Sequence, residues 1–382
     1  MAGAPTEAVV TLPVSLGEAL DKLTILDIKL QKISNPARKA DVQKEYDLLF
    51  SSLKNYVDSF SYHYRILRAV NLIIWEIQDQ FHGKDTTTEE GARLCRQILI
   101  ENDRRFRVKA KINALANSAL REQKGYDVKR ALVYTHLGMG DMVWMNGAVR
   151  YLATAYDEVY VVCKGRYVRN AADMYADDPT IKLLAVEDDA ELHPWTEKRK
   201  LFSEQGFAVY SCGWFAPKEQ PAVYDLPNSF YDDMGLPREY RTSYFYVPRT
   251  EAAKLLAAKY EGRAYIVVHQ QSSVQKLPIV ATLRAKGETR LILDLNENHY
   301  SRDHPDWELA EAVVNKPIID YTFLIEGAKE LHMIESSLYC LASHLNLSAV
   351  EKRVCYEPWG ENAERLGIFT TGEKLLTAPP GA

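Results

Sequence analysis

The sequence predicts an α/β protein preceded by an α-helical region. Three observations carry this expectation. Apolar residues recur at three- and four-residue steps from Leu16 to Phe81. At Gly125 the pattern switches to short β-rich runs that alternate with helical stretches. One of those runs, Ala131–Thr135, passes through a glycine-rich turn into an amphipathic segment.

Leu16, Leu20, Leu23, Ile25, Leu26, Ile28, Leu30 and Ile33 define the first helical pattern. Ser15, with Glu18 three residues later, makes a capping-box start, and Pro36 stops the run. Asp41–Val57 and Tyr62–Phe81 carry two more patterns, the second built on Ile66, Val70, Ile73, Ile74 and Ile77. Glu89–Glu122 has no proline and many charges and reads as further helix, with Asn102–Arg107 as a candidate break or cap. Residues 1–125 are therefore expected to form a helical bundle or a long hairpin. The charges from Arg104 to Lys111 read as a solvated helix face, with a basic patch for an acidic partner as the alternative.

Ala131–Thr135 and Val159–Cys163 flank a helical pattern over Met142–Ala155, a βαβ unit whose crossover should be right-handed. Ile181–Val186 and the shorter Ala208–Ser211 follow as strands, and Pro237 and Pro248 bracket the end of this half. In the second half Glu251–Tyr260 is helical, and Tyr265–His269 and Arg290–Leu295 are strands. Tyr321–Ala328 leads to the strand Glu330–Ile334 and a helix over Ser336–Leu345. The expected domains are residues 1–125, helical; 126–248 and 249–369, each Rossmann-like; and 370–382, a flexible tail rich in Thr, Gly and Pro.

Of 382 residues, 47% are hydrophobic and 26% charged, which suits a globular chain with two or three sizeable cores. A formal net charge of -5 argues against a general nucleic-acid binder. The five cysteines are scattered without C-x-x-C spacing, so neither a disulfide framework nor a zinc site is expected. Met1–Val14 lacks a basic segment followed by an apolar one, so no signal peptide is expected. No apolar run approaches the roughly 18 residues of a membrane span. A cytoplasmic protein is the expectation, with peripheral membrane contact and a homodimer through the helical region left open.

The first candidate site is His136–Asp141. A strand leading through Gly138 and Gly140 into a helix places bare backbone N–H groups at one point, which suits a phosphate or a developing negative charge. The dinucleotide fingerprint is incomplete, because Val143 stands at the third glycine position. Asp141 would not help a simple phosphate cradle. It reads either as an N-terminal cap or as a general base for an acceptor hydroxyl, and His136 is a second candidate base.

Two further sites lie in the second half. Glu335-Ser336-Ser337 opens a helix after a strand, where capping and phosphate binding call for the same residues. His332, inside that strand, reads as a core histidine. His269 ends a strand and opens a polar loop to Lys276, where a diphosphate could be gripped and its charge neutralised, or which is simply solvated. A P-loop, H-E-x-x-H, G-x-S-x-G and Asp-x-Asp are all absent from the sequence. Asp188-Asp189, Asp232-Asp233 and Asp303–Asp306 lack metal-ligand spacing, so no metal is expected.

On these residues the two halves resemble glycosyltransferases of the GT-B architecture, two Rossmann-like domains facing each other, and within them the heptosyltransferase and fucosyltransferase-like families. Gly140-Asp141 matches the Gly-Asp pair whose Asp is the catalytic base there. Glu335-Ser336-Ser337 with Leu341-Ala342 is similar to the Asp-Thr/Ser-Gly/Ser turn and Leu-Ala pair that contact donor phosphate. Glu335 departs from the usual Asp, Ser337 from Gly, and Tyr339 and Cys340 stand near the place of a helix His. The likeness covers about residues 128–360. Val14–Leu26, Asn102–Phe106 and Glu122–Lys124 resemble a helical module of unassigned function in bacterial proteins.

The resemblance implies a metal-independent transferase that moves a sugar from a nucleotide sugar, a co-substrate rather than a cofactor, to a hydroxyl of a glycan or related acceptor. Asp141 would be the base of an inverting reaction, with His136 beside it. Gly138, Gly140, His269, Lys276, Glu335, Ser336 and Ser337 would bind the donor. The alternatives are a retaining enzyme with Asp232 or Asp233 as nucleophile, and a non-catalytic sugar- or nucleotide-binding scaffold. A Rossmann oxidoreductase is disfavoured by the missing third glycine.

Overall fold

The computed structural model describes residues 12–85, 87–125, 127–135, 138–187, 195–213, 225–273, 275–356 and 367–372. The chain divides into two compact units, Met1–Val128 with Thr154–Asp157, and Lys129–Ala153 with Glu158–Ala382.

The first unit is a bundle of α1 (Leu16–Lys32), α2 (Pro36–Ser59), α3 (Ser61–Phe81) and α4 (Glu89–Leu115). Ser15 Oγ accepts the Glu18 N–H at 3.3 Å, and Asn35 Oδ1 accepts from Arg38 N at 3.1 Å, with Pro36 in the first turn of α2. Thus Pro36 stops one helix by starting the next. α3 buries Ile66, Leu67, Val70, Ile74 and Ile77 along one stripe against α1 and α4, whereas α2 buries only Leu53. Gly17 lets α1 approach α4, since a Cβ there would lie 2.6 Å from the Lys109 carbonyl oxygen.

The charged stretch of α4 is not a solvated face. Arg104, Arg107, Lys109 and Lys111 are buried, and α4 runs unbroken through Asn102–Arg107 before ending at Leu115, short of Glu122. Three of these cations find an acid distant in sequence or one turn away. Arg104 meets Glu101 at 2.8 Å, Arg107 meets Asp157 at 2.8 Å, and Lys109 pairs with Glu18 and, at 2.7 Å, with Glu122. Buried Asp21 accepts from both Arg105 Nε and Nη2 and from Asn71 Nδ2.

The second unit holds two parallel sheets. The first has the order β3-β2-β1-β4, with β1 Arg130–Tyr134, β2 Glu158–Lys164, β3 Ile181–Val186 and β4 Phe207–Ser211. The second has the order β6-β5-β7-β8-β9, with β5 Tyr265–His269, β6 Leu291–Asp294, β7 Glu330–Ile334, β8 Lys352–Tyr356 and β9 Thr370–Thr371. The unbroken burial of β5 and β6 is what a parallel sheet covered on both faces requires. Thr370-Thr371 belongs to this sheet, rather than to a tail, because its residues pair with Val354 and Cys355.

The helical pattern after β1 is two helices, α5 (Met139–Trp144) and α6 (Asn146–Ala155). The ladder breaks at Met145 because tertiary partners claim its backbone neighbourhood. Tyr231 Oη donates to the Trp144 carbonyl at 2.9 Å, and the Tyr246 N–H donates to Asn146 Oδ1 at 3.0 Å. Gly147 admits the Tyr240 carbonyl, which a Cβ would meet at 2.2 Å. No described helix is long and apolar enough to cross a membrane.

Candidate functional site

In both sheets the strand order reverses beside a central strand: β1 lies between β2 and β4, and β5 between β6 and β7. Loops leaving such strands diverge to opposite sides and open a crevice at their carboxyl ends. A cleft of about 540 Å³ lies there. Gly138, Met139, Gly140, Asp141 and Trp144 enter it after β1; His269, Gln271, Ser272, Ser273 and Gln275 after β5; and Glu335, Ser336, Ser337 and Cys340 after β7. Tyr167 and Leu226 complete the wall.

Asp141 is the third residue of α5, and its Oδ2 accepts the Gly138 N–H at 2.9 Å. The capping contact therefore exists and fixes the direction of a carboxylate that also lines the cleft. Gly140 is small because α5 packs against the helix Ser337–Ala342. A Cβ on it would sit 3.2 Å from Cys340 Sγ and 3.7 Å from Ser337 N. Gly138 has no such constraint, its nearest contact being Asp141 Oδ2 at 3.6 Å from a built Cβ. His136 lies outside the described residues.

His269 is buried at the end of β5, and burial pushes its imidazole down to about 4. It is therefore neutral at pH 7. Its Nδ1 meets Ser336 Oγ at 2.9 Å, while that oxygen accepts the Tyr339 N–H at 3.3 Å. The pair ties the first loop of the second sheet to its next helix start. Cys340 lies under this junction, its thiol held well above the usual range by burial and by the charges of Asp141 and Glu335.

Lys276 stands elsewhere. Its ammonium meets Glu297 at 2.9 Å in an exposed pair, and it is not among the lining residues. Asp232 pairs with Arg238 at 2.6 Å and Asp233 accepts the Gly213 N–H at 2.9 Å, and neither lines the cleft. Asp188 and Asp189 lie outside the described residues. His332 is a core histidine, with Tyr356 Oη at 2.8 Å and Glu330 at 3.0 Å.

One group has the composition of a metal site: ligand atoms of Asp294, Glu297 and His299 lie within 4.8 Å of one another. Donors already fill it. His299 Nε2 meets Asp294 Oδ2 at 2.7 Å, and Gln270 Nε2 and Lys276 Nζ meet Glu297 Oε1 at 3.3 and 2.9 Å. Gln270 must turn its NH₂ inward, because its Oε1 accepts the Val280 N–H at 3.1 Å. Asn296 Oδ1 accepts the Gln270 and Gln271 N–H groups at 3.1 and 2.9 Å. The group thus braces the cleft loop.

Residues 10–135 match the profile of a family of unknown function (DUF6165). The match spans the four helices and β1, and no part of the cleft. No curated protein sequence matches the chain. Among solved structures, the glycosyl transferase family 9 from Veillonella parvula DSM 2008 is similar at 10% identity and TM-score 0.38, over 63% of this chain and 88% of that one. A likeness that distant carries no argument.

Trp144, Tyr167 and Leu226 are not signalled by the sequence, whereas Gln271 and Gln275 belong to the polar loop that it marks. The first three follow β1, β2 and β4 in the chain, and the pairing of those three strands brings them together.

Proposed function

We propose that the protein is a glycosyltransferase that moves a sugar from a nucleotide-activated donor to an acceptor hydroxyl. One observation carries the reading: the cleft at the switch-point ends of two parallel sheets presents Asp141 and Glu335 among hydroxyl and amide side chains. Carboxylates and amides bind vicinal hydroxyls, and the half-buried ring of Tyr167 suits the apolar side of a sugar ring or base.

In this reading the acceptor oxygen gives its proton to Asp141 as it bonds to the anomeric carbon. The bond from that carbon to the phosphate oxygen breaks, the nucleoside diphosphate departs, and the configuration inverts. Asp141 keeps its aim through Gly138 N–H. Glu335, Ser336 and Ser337 form the donor side, with neutral His269 as the positioning residue behind Ser336.

The test is Asp141→Asn against a panel of nucleotide sugars. The expected outcome is a loss of about 10²–10⁴-fold in turnover with the fold retained. Unchanged turnover would remove Asp141 as base, and release of no nucleotide by the unaltered protein from any donor would favour a scaffold.

A further inference from the structure

Among the described lining residues of the cleft there are two carboxylates, Asp141 and Glu335, and neither Lys nor Arg. A phosphate-bearing ligand would therefore meet like charge in a partly desolvated site, which opposes binding unless a cation joins it. Lys276 is committed to Glu297. Of the two cations that lie against the wall, Arg166 on Tyr167 is exposed and Arg241 on Trp144 is not.

Arg241 follows Tyr240, whose carbonyl Gly147 admits against the start of α6. The guanidinium lies against the indole of Trp144, Cζ 5.7 Å from the ring centroid. Its Nε and Nη1 are buried without a hydrogen-bond partner, and it has no ion pair among the described residues. Burial lowers its pKa, and the opposing influence of Tyr231, Asp225 and Tyr339 offsets only part of that. His344, edge-on to the same indole at 5.0 Å, supplies no counter-charge: burial pushes it down to about 3, and its Nδ1 donates to the Cys340 carbonyl at 2.8 Å. A buried guanidinium edge without acceptors is costly to keep, and guanidinium is the side chain best matched to two oxygens of one phosphate. Among the described residues a cation–π contact and the more distant charge of Asp225 hold it, and a phosphate contact outweighs them.

We propose that Arg241 is an anion-binding residue of the cleft: on ligand entry its guanidinium turns from the Trp144 indole and takes two oxygens of a phosphate or diphosphate group. The inference rests on the cleft being the ligand site and not on sugar transfer itself.

The experiment titrates the full chain with inorganic pyrophosphate by calorimetry, for the unaltered protein, Arg241→Met and Arg241→Lys, and records the melting temperature of each without ligand. Expected are measurable binding by the unaltered protein and at least a tenfold loss in Arg241→Met. The Lys variant, which keeps the charge and loses the fork, should fall between them. Ligand-free Arg241→Met should melt no lower than the unaltered protein, because it discards an uncompensated charge. Absent pyrophosphate binding, equal affinity in all three proteins, or a clear drop in melting temperature for the ligand-free Met variant would each overturn the assignment. Should the Met variant fail to fold, equal affinity in the Lys variant still overturns it. Pyrophosphate binding through Arg241 without turnover of any nucleotide sugar would sink the transferase and leave the anion site standing.

Discussion

The helical unit and the wall of the cleft in the α/β unit treat buried charge in opposite ways. In the bundle Asp21, Glu101, Arg104, Arg107 and Lys109 all have charged partners, several of them far away in sequence. Beside the cleft, Arg241 and His344 keep buried nitrogens without partners. A fully paired network selects one packing of helices over others. A buried donor without an acceptor lowers stability, so its retention points to a partner that arrives later.

The contrast can be broken at either end. The largest effect is expected for Asp21→Ala, which strands Arg105 inside the bundle and removes one of the two acceptors of Asn71 Nδ2. Breaking such a buried pair costs about 3–5 kcal/mol, and urea denaturation measures it. A loss under about 1 kcal/mol would show that the network specifies nothing.

An intermediate effect is expected on acidification. His269 is held at about 4 against an ordinary 6.5, so the unfolded chain binds its proton first. Its contribution is complete above pH 6.5 and disappears as pH falls toward 4. Between pH 7 and pH 5 that amounts to about 2 kcal/mol. His344, held lower still, acts with the same sign. Denaturation curves at the two pH values should therefore show a slope that His269→Gln roughly halves; an unchanged slope would mean that His269 does not titrate from a buried state.

The smallest effect is expected for Arg241→Met without ligand, within about 0.5 kcal/mol of no change. Removing a charge from the bundle and removing one from the cleft wall should thus differ by several kcal/mol. Equal losses would erase the distinction between the two regions.

Local signals in the sequence were enough for some elements and for part of the site. Continuous apolar runs marked β1, β5 and β7, and Ser15 and Glu18 marked the start of α1, because burial on both faces and helix capping are properties of a few consecutive residues. β8 was hidden because it starts on Lys352-Arg353 and offers only three buried positions. The charged stretch of α4 was misjudged because periodicity shows where charges fall and not which acids, up to 91 residues away, will meet them.

The order of helical and α/β segments, the glycine turn after β1 and the acid that follows it can all be read from the chain without coordinates. Those depend on backbone conformation and short-range hydrogen bonds, which neighbouring residues specify. Only the tertiary structure decided what the turn is for. Gly140 is small to admit Cys340, Lys276 is diverted to Glu297, and Arg241 is delivered to Trp144 through Gly147. Each of these rests on a contact between segments that share no local pattern, and the cleft exists only where two separate sheets reverse their strand order.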